Sequence, residues 1–90
     1  MVWKVYLLRC CDGSLYCGVT KDVEARVATH NAGKGAKYTR SRLPVRLVAV
    51  SPDLSKREAF QFEYHVKRLP AGRKCATVLQ GVREGVGDGV

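Results

Sequence analysis

An α+β fold is expected: a three-stranded antiparallel sheet with flanking helices, in the order β-β-α-β-α with one further short helix. Three features carry that expectation. Residues 2–11 and 15–20 are rich in β-branched and aromatic types, and Asp12-Gly13-Ser14 between them has turn composition. Two later stretches have helical apolar spacing behind capping residues, Asp22 and Ser55. A third apolar run, Val45 to Val50, separates those two helices.

The elements follow in order. The hairpin comes first. Asp22 is the N-cap of a helix whose Val23, Val27 and His30 recur at helical spacing, and Asn31-Ala32-Gly33 stops it, with Gly33 suited to a left-handed cap. Residues 34–44 have no period and read as a basic loop. Val45 to Val50 is the third strand, ended by Pro52. Ser55-Lys56-Arg57-Glu58 is a capping box, so a helix starts there. Its apolar stripe is Ala59, Phe62, Val66 and Leu69, and Pro70 closes it. Lys74 to Leu79 is a short last helix. Residues 1–80 form one domain, and the glycine-rich 81–90 is a disordered tail. The expected core is small: Val5, Leu7, Val19, Val27, Leu47, Ala59, Phe62, Val66 and Leu69.

Sixteen Lys+Arg against eight Asp+Glu give a net charge of +8 on 90 residues. That favours a polyanionic partner, nucleic acid first and an anionic membrane surface second. The membrane reading lacks a basic amphipathic helix with bulky apolar residues, and no apolar run is long enough to span a bilayer. With no signal or transit peptide at the start, the chain is expected in the cytoplasm. The charge is concentrated. Between Glu24 and Asp53 there is no acid, and Arg26, Lys34, Lys37, Arg40, Arg42 and Arg46 fall there. Cys10, Cys11, Cys17 and Cys75 have neither zinc-knuckle nor disulfide spacing, and read as small apolar residues in a reducing compartment.

Several positions together suggest chemistry. Tyr6 follows Lys4-Val5, and Tyr16 opens Tyr16-Cys17-Gly18 ten residues later. Arg26 and His30 lie four apart, on one face of the first helix. Tyr38 sits in the basic loop. Glu63 lies at the edge of the second helix's apolar stripe, and His65 reads as a surface residue. Apart from Glu63, the acids fall in turns, caps or the tail. With these residues the chain resembles the GIY-YIG endonuclease family from about Val2 to Leu69. Thr29 to Arg40 is most like two branches, the small stand-alone bacterial proteins and the catalytic subunit of the eukaryotic structure-specific endonuclease. Lys4-Val5 stands where the family motif has Gly-Ile, and Cys17 where it has Ile. Both tyrosines and Gly18 are present.

The resemblance implies a metal-dependent phosphodiester hydrolase acting on branched, flapped or nicked DNA, with RNA left open. Its catalytic set would be Tyr6, Tyr16, Arg26, His30, Tyr38 and Glu63. Glu63 would be the metal ligand, and one carboxylate completed by water and phosphate suits Mg²⁺, with Mn²⁺ a second choice. With no second carboxylate to pair with it, a one-metal mechanism follows. Arg26 would hold the phosphate. Either tyrosine can orient or deprotonate the attacking water. Tyr6 with His30 as helper is the first choice, and it needs positive neighbours to lower its pKa from about 10. Gly18 would let backbone approach closely. Lys34, Lys37, Arg40, Arg42 and Arg46 would track phosphates. A domain this small is expected to draw extra DNA affinity from a protein partner. The alternative is a nucleic-acid-binding adaptor with little or no cleavage.

Strand parity makes the nuclease reading testable on structure. A two-residue Asp12-Gly13 turn pairs Arg9 with Tyr16 and puts the two tyrosines on opposite faces. An odd-length loop or a bulge within residues 11–15, such as Asp12-Gly13-Ser14 pairing Cys10 with Tyr16, puts both on one face. The observed register decides between them.

Overall fold

In the computed structural model, residues 2–81 are described. The disorder expected of the tail falls on residues outside these, except for Gly81. The elements are β1 (Lys4–Arg9), β2 (Leu15–Thr20), α1 (Val23–Asn31), α2 (Lys37–Arg40), β3 (Arg46–Val50), α3 (Lys56–Lys67) and α4 (Ala71–Gln80). The sheet order is β2-β1-β3, all antiparallel. This is the expected α+β arrangement with its last helix.

The hairpin loop has odd length, and lies one position earlier than Asp12-Gly13-Ser14. Cys10 N–H donates to the Ser14 carbonyl, so the ladder closes around Cys11, Asp12 and Gly13. Gly13 takes the left-handed conformation at φ 86°. Tyr16 therefore pairs with Leu8 instead of Cys10, and Tyr6 pairs with Gly18. An even separation along β1 keeps Tyr6 and Tyr16 on one face. Leu8 then pairs with Leu47 on β3 after a bulge between Leu7 and Leu8.

Because β1 is central, Val5, Tyr6, Leu7 and Leu8 are all buried. Alternation sends them to two small cores. Val5 and Leu7 join Cys17, Ala49, Ala59, Phe62, Val66 and Val78 under α3 and α4. Tyr6 and Leu8 join Cys10 and Val45 on the face covered by α1. The expected core holds for five of its nine residues. Val19, Val27 and Leu69 are half-buried, and Leu47 is 41% exposed. Leu47 lines an open apolar groove of about 680 Å³ between α1 and β3, which α1 does not fill.

The caps form as expected. Asp22 accepts from Ala25 N–H, Gly33 is left-handed at φ 78°, and Ser55 and Glu58 make the reciprocal capping box. Pro70 is a correction: α3 ends at Lys67, and Pro70 is the N-cap of α4, which starts at Ala71. A proline ring suits a helix start, where its missing N–H is not needed. The loop 34–44 is also corrected, because it holds α2, one turn too short to show a period.

Removing the Ser55 hydroxyl leaves the Glu58 N–H without its cap. Ser55→Ala should cost about 1 kcal/mol. In a domain of this size that is a fall in Tm of roughly 4–8 °C by differential scanning calorimetry.

Candidate active site

The site forms at the β2 edge of the sheet, where α1, α2 and α3 converge. Its centre is a chain of hydrogen bonds through a fully buried imidazole. The Tyr6 hydroxyl lies 3.1 Å from His30 Nε2, and His30 Nδ1 lies 2.8 Å from Thr39 Oγ1. Thr39 donates its own hydroxyl proton to the Ala36 carbonyl at 2.9 Å. Thr39 therefore accepts from the imidazole, which places the proton of the neutral ring on Nδ1. Nε2 is left with a lone pair aimed at Tyr6, and the Tyr6 hydroxyl donates to it. This tautomer makes His30 the acceptor for the Tyr6 proton.

The remaining aromatic groups pack around that chain. Tyr16 meets His30 edge-on with centroids 5.2 Å apart, stands 6.4 Å from Tyr6, and stacks on Tyr38 at 6.1 Å. Arg26 is exposed on α1, and its guanidinium reaches the Tyr6 hydroxyl. Glu63 enters from α3. Its Oε2 takes an ion pair from Lys67 Nζ at 3.2 Å. Glu63, Lys67 and Arg26 all act electrostatically on Tyr16. Tyr6, Tyr16, Arg26, His30, Tyr38 and Glu63 thus come together, although they arise from five separate elements.

Glycine positions explain how the chain fits this closely. A Cβ on Gly18 would stand 2.5 Å from the Tyr6 hydroxyl, because the Tyr6 ring lies across its strand partner. A Cβ on Gly35 would collide with His30 Nδ1, so only bare backbone fits against the imidazole. Asn31 closes the end of α1 onto β3 by pairing both its amide atoms with the Val45 backbone, at 2.8 and 3.0 Å. No sequence signal marks Thr39, Gly35 or Lys67 as part of the site, and Asn31 is legible only as part of a helix stop. A lone hydroxyl in an aperiodic basic stretch gives no signal of burial. Only the one-turn α2 turns Thr39 inward.

The electrostatics correct one expectation. Burial pushes the Tyr6 hydroxyl up to about 12, and the Arg26 hydrogen bond and charge offset only part of that. Positive neighbours therefore do not make Tyr6 acidic. Burial and then Arg26 hold the His30 imidazole below its ordinary value. Burial also raises Tyr16, with Lys67 pulling down and Glu63 pushing up. Cys17 is pushed up to about 12, mainly by burial, and stays an unreactive thiol. All four cysteines are free.

The basic residues divide. Lys34, Lys37 and Arg40 are exposed. Arg42 is a brace: Nε pairs with Asp12 at 3.0 Å, Nη1 donates to the Tyr38 carbonyl at 2.8 Å, and Cζ lies 4.0 Å over the Tyr38 ring. Arg46 pairs with Arg9, on the sheet face opposite Tyr6. His65 is half-buried on α3 with no partner for Nε2, not a surface residue. Among the described residues, no three of His, Cys, Asp and Glu come together as a metal-binding group. No helix among them is long and apolar enough to cross a membrane.

A profile of the GIY-YIG catalytic domain matches residues 2–74. The chain belongs to the GIY-YIG catalytic-domain family, a family of endonucleases that use divalent metals and act on DNA. A UPF0213 protein of Bacillus licheniformis is 52% identical over 81 residues, covering 90% of this chain and 84% of the relative. One from Lacticaseibacillus paracasei is 56% identical over 69 residues, covering 77% of this chain and 78% of its own. The solution NMR structure of a UPF0213 protein from Bacillus halodurans is 52% identical with a TM-score of 0.50, covering 82% of this chain and 79% of that one. The small stand-alone bacterial branch is thus where the similarity lies. Departures from the family motif fall outside the site. Val5 and Cys17 pack in the α3 core, and Lys4 pairs with Asp53 at 2.9 Å.

Two outcomes follow. His30 should titrate below pH 6.5 by proton NMR, as a buried imidazole does. Since the folded ring binds its proton less tightly than the unfolded one, its stabilising contribution is present above about pH 6.5 and lost as pH falls through the folded value. Gly18→Ala should cost about 1–3 kcal/mol in urea denaturation, because Tyr6 has to move.

Proposed function

We propose that this protein is a divalent-metal-dependent DNA endonuclease, selective for branched, flapped or nicked DNA and working with one metal ion. The observation that carries the reading is the Tyr6–His30–Thr39 chain, which gives the Tyr6 proton a defined route to Nε2. A Tyr6 oxygen relieved of its proton can take one from an attacking water. Thr39 keeps the acceptor nitrogen aimed at Tyr6. Arg26 presents its donors beside the Tyr6 hydroxyl, where a phosphate can be held against the attacking group. Tyr16 and Tyr38 form the wall, and Lys34, Lys37 and Arg40 draw in the nucleic-acid backbone.

The donor set fits a hard cation. Glu63 offers one carboxylate, half-sheltered at 18% side-chain exposure and held by Lys67. Water and phosphate oxygens would fill the other positions, which suits Mg²⁺ and tolerates Mn²⁺. When bound there, the cation would stabilise charge on the phosphate and the leaving oxygen.

The test is incubation of branched, flapped and linear DNA with the protein in Mg²⁺ or EDTA. Mg²⁺-dependent cutting should fall about 10²-fold or more in Tyr6→Phe and vanish in Glu63→Ala. Cutting should also decline as pH drops through the lowered His30 value, since a protonated ring accepts nothing from Tyr6. Salt-sensitive binding without cutting in every sample would replace the enzyme with an adaptor. Cutting that survives in Glu63→Ala would remove the metal assignment.

A further inference from the structure

Away from the Tyr6–His30 centre, α3 carries a ridge of two exposed rings with a cation at each end. Lys56, Phe60, Tyr64 and Arg68 recur every fourth residue and so line one stripe of the helix and its C-cap. Phe60 is 47% and Tyr64 66% exposed. Trp3 extends the stripe, its ring 5.7 Å from Phe60, with Lys21 and Lys56 ammonium groups 5.3 and 5.8 Å from its centroid. At the far end Arg68 lies 5.4 Å over Tyr64 and donates to its hydroxyl at 3.0 Å. The neighbouring acids are engaged elsewhere: Asp53 with Lys4, Glu58 in the capping box, Glu63 with Lys67.

Charge and shape together select the occupant. A second copy would set these cations against its own, on a chain of charge +8. Duplex DNA offers phosphates, but its base faces are stacked and hidden. A single strand presents both phosphates for the cations and bare base faces for the rings. The geometry points to a binding track for single-stranded nucleic acid along α3, with bases on Trp3, Phe60 and Tyr64 and phosphates drawn to Lys21, Lys56 and Arg68. Glu63 and Lys67 occupy the adjacent helix row, so a strand on the track passes beside the proposed metal ligand. That direction rests on the nuclease reading; the binding itself does not.

The sole tryptophan, Trp3, reports on the track. A short single-stranded thymidine oligonucleotide, and a duplex of equal length, are titrated in EDTA into wild type, Phe60→Ala, Tyr64→Ala, the double variant and Tyr64→Phe. Circular dichroism confirms that each is folded. The single strand should quench Trp3 emission. Each alanine should weaken its binding about tenfold, Tyr64→Phe should keep it, and duplex affinity should stay within about twofold. Unchanged single-strand affinity in the double variant overturns the track, even if the wild type cuts DNA. So do equal losses on both DNAs, or a wild-type dimer that the double variant dissociates without any effect on the oligonucleotide. Selective loss of single-strand binding upholds the track, even if no sample cuts.

Discussion

A fully buried imidazole needs a partner for each of its nitrogens, and in this protein that requirement organises the site. Leaving one nitrogen unsatisfied would cost about 1–3 kcal/mol, a large share of a small domain's stability. His30 meets the need with Tyr6 from the sheet and Thr39 from α2. The connection from Gly33 to Pro44 is thereby tied to the sheet interior, though it has little core of its own. Asn31 adds a second tie, to the start of β3. What fixes the fold locally is the same bond that fixes the tautomer, so structure and proton chemistry share one cause.

Charge is distributed by a second rule. The acid-free stretch from Arg26 to Arg46 is not one uniform surface. Arg42 is spent on Asp12 and Tyr38, holding the wall residue Tyr38 from the hairpin turn. Arg26 stays exposed and reaches Tyr6 from the solvent side. Lys34, Lys37 and Arg40 remain outside. An exposed guanidinium beside a buried phenol can meet an anion without dragging the anion into the core. A charged side chain and a sheltered hydroxyl thus work at one boundary.

The elements were legible in the sequence because their signals are local. Asp22, Gly33 and the Ser55–Glu58 box mark helix ends through hydrogen bonds within a few residues. The tyrosine pair, Arg26, His30 and Glu63 were legible as a set only through resemblance, since each alone is ordinary composition. Thr39 and Gly35 were not legible. Their importance lies in contacts to His30 across a segment without periodicity, and contact is not written into spacing. The raised pKa of Tyr6 is not legible for a similar reason. Its neighbours are readable in the chain, whereas its burial between β2 and α1 depends on packing. Leu47 was expected inside, because alternation says which face a residue takes but not whether a helix covers that face.

The three-residue loop at Cys11–Gly13 has a consequence for how this chain can change over time. Strand faces alternate residue by residue, so one residue gained or lost there would slide β2 by one position. Tyr16 would turn into the α3 core, Cys17 would turn out toward His30, and Gly18 would leave Tyr6 facing a side chain. A slide of two residues would keep Tyr16 and Cys17 on their present faces, although Gly18 would then lie two positions from its Tyr6 partner. Length variation in this hairpin among functional descendants should therefore come in steps of two, or be matched by a bulge that restores the count.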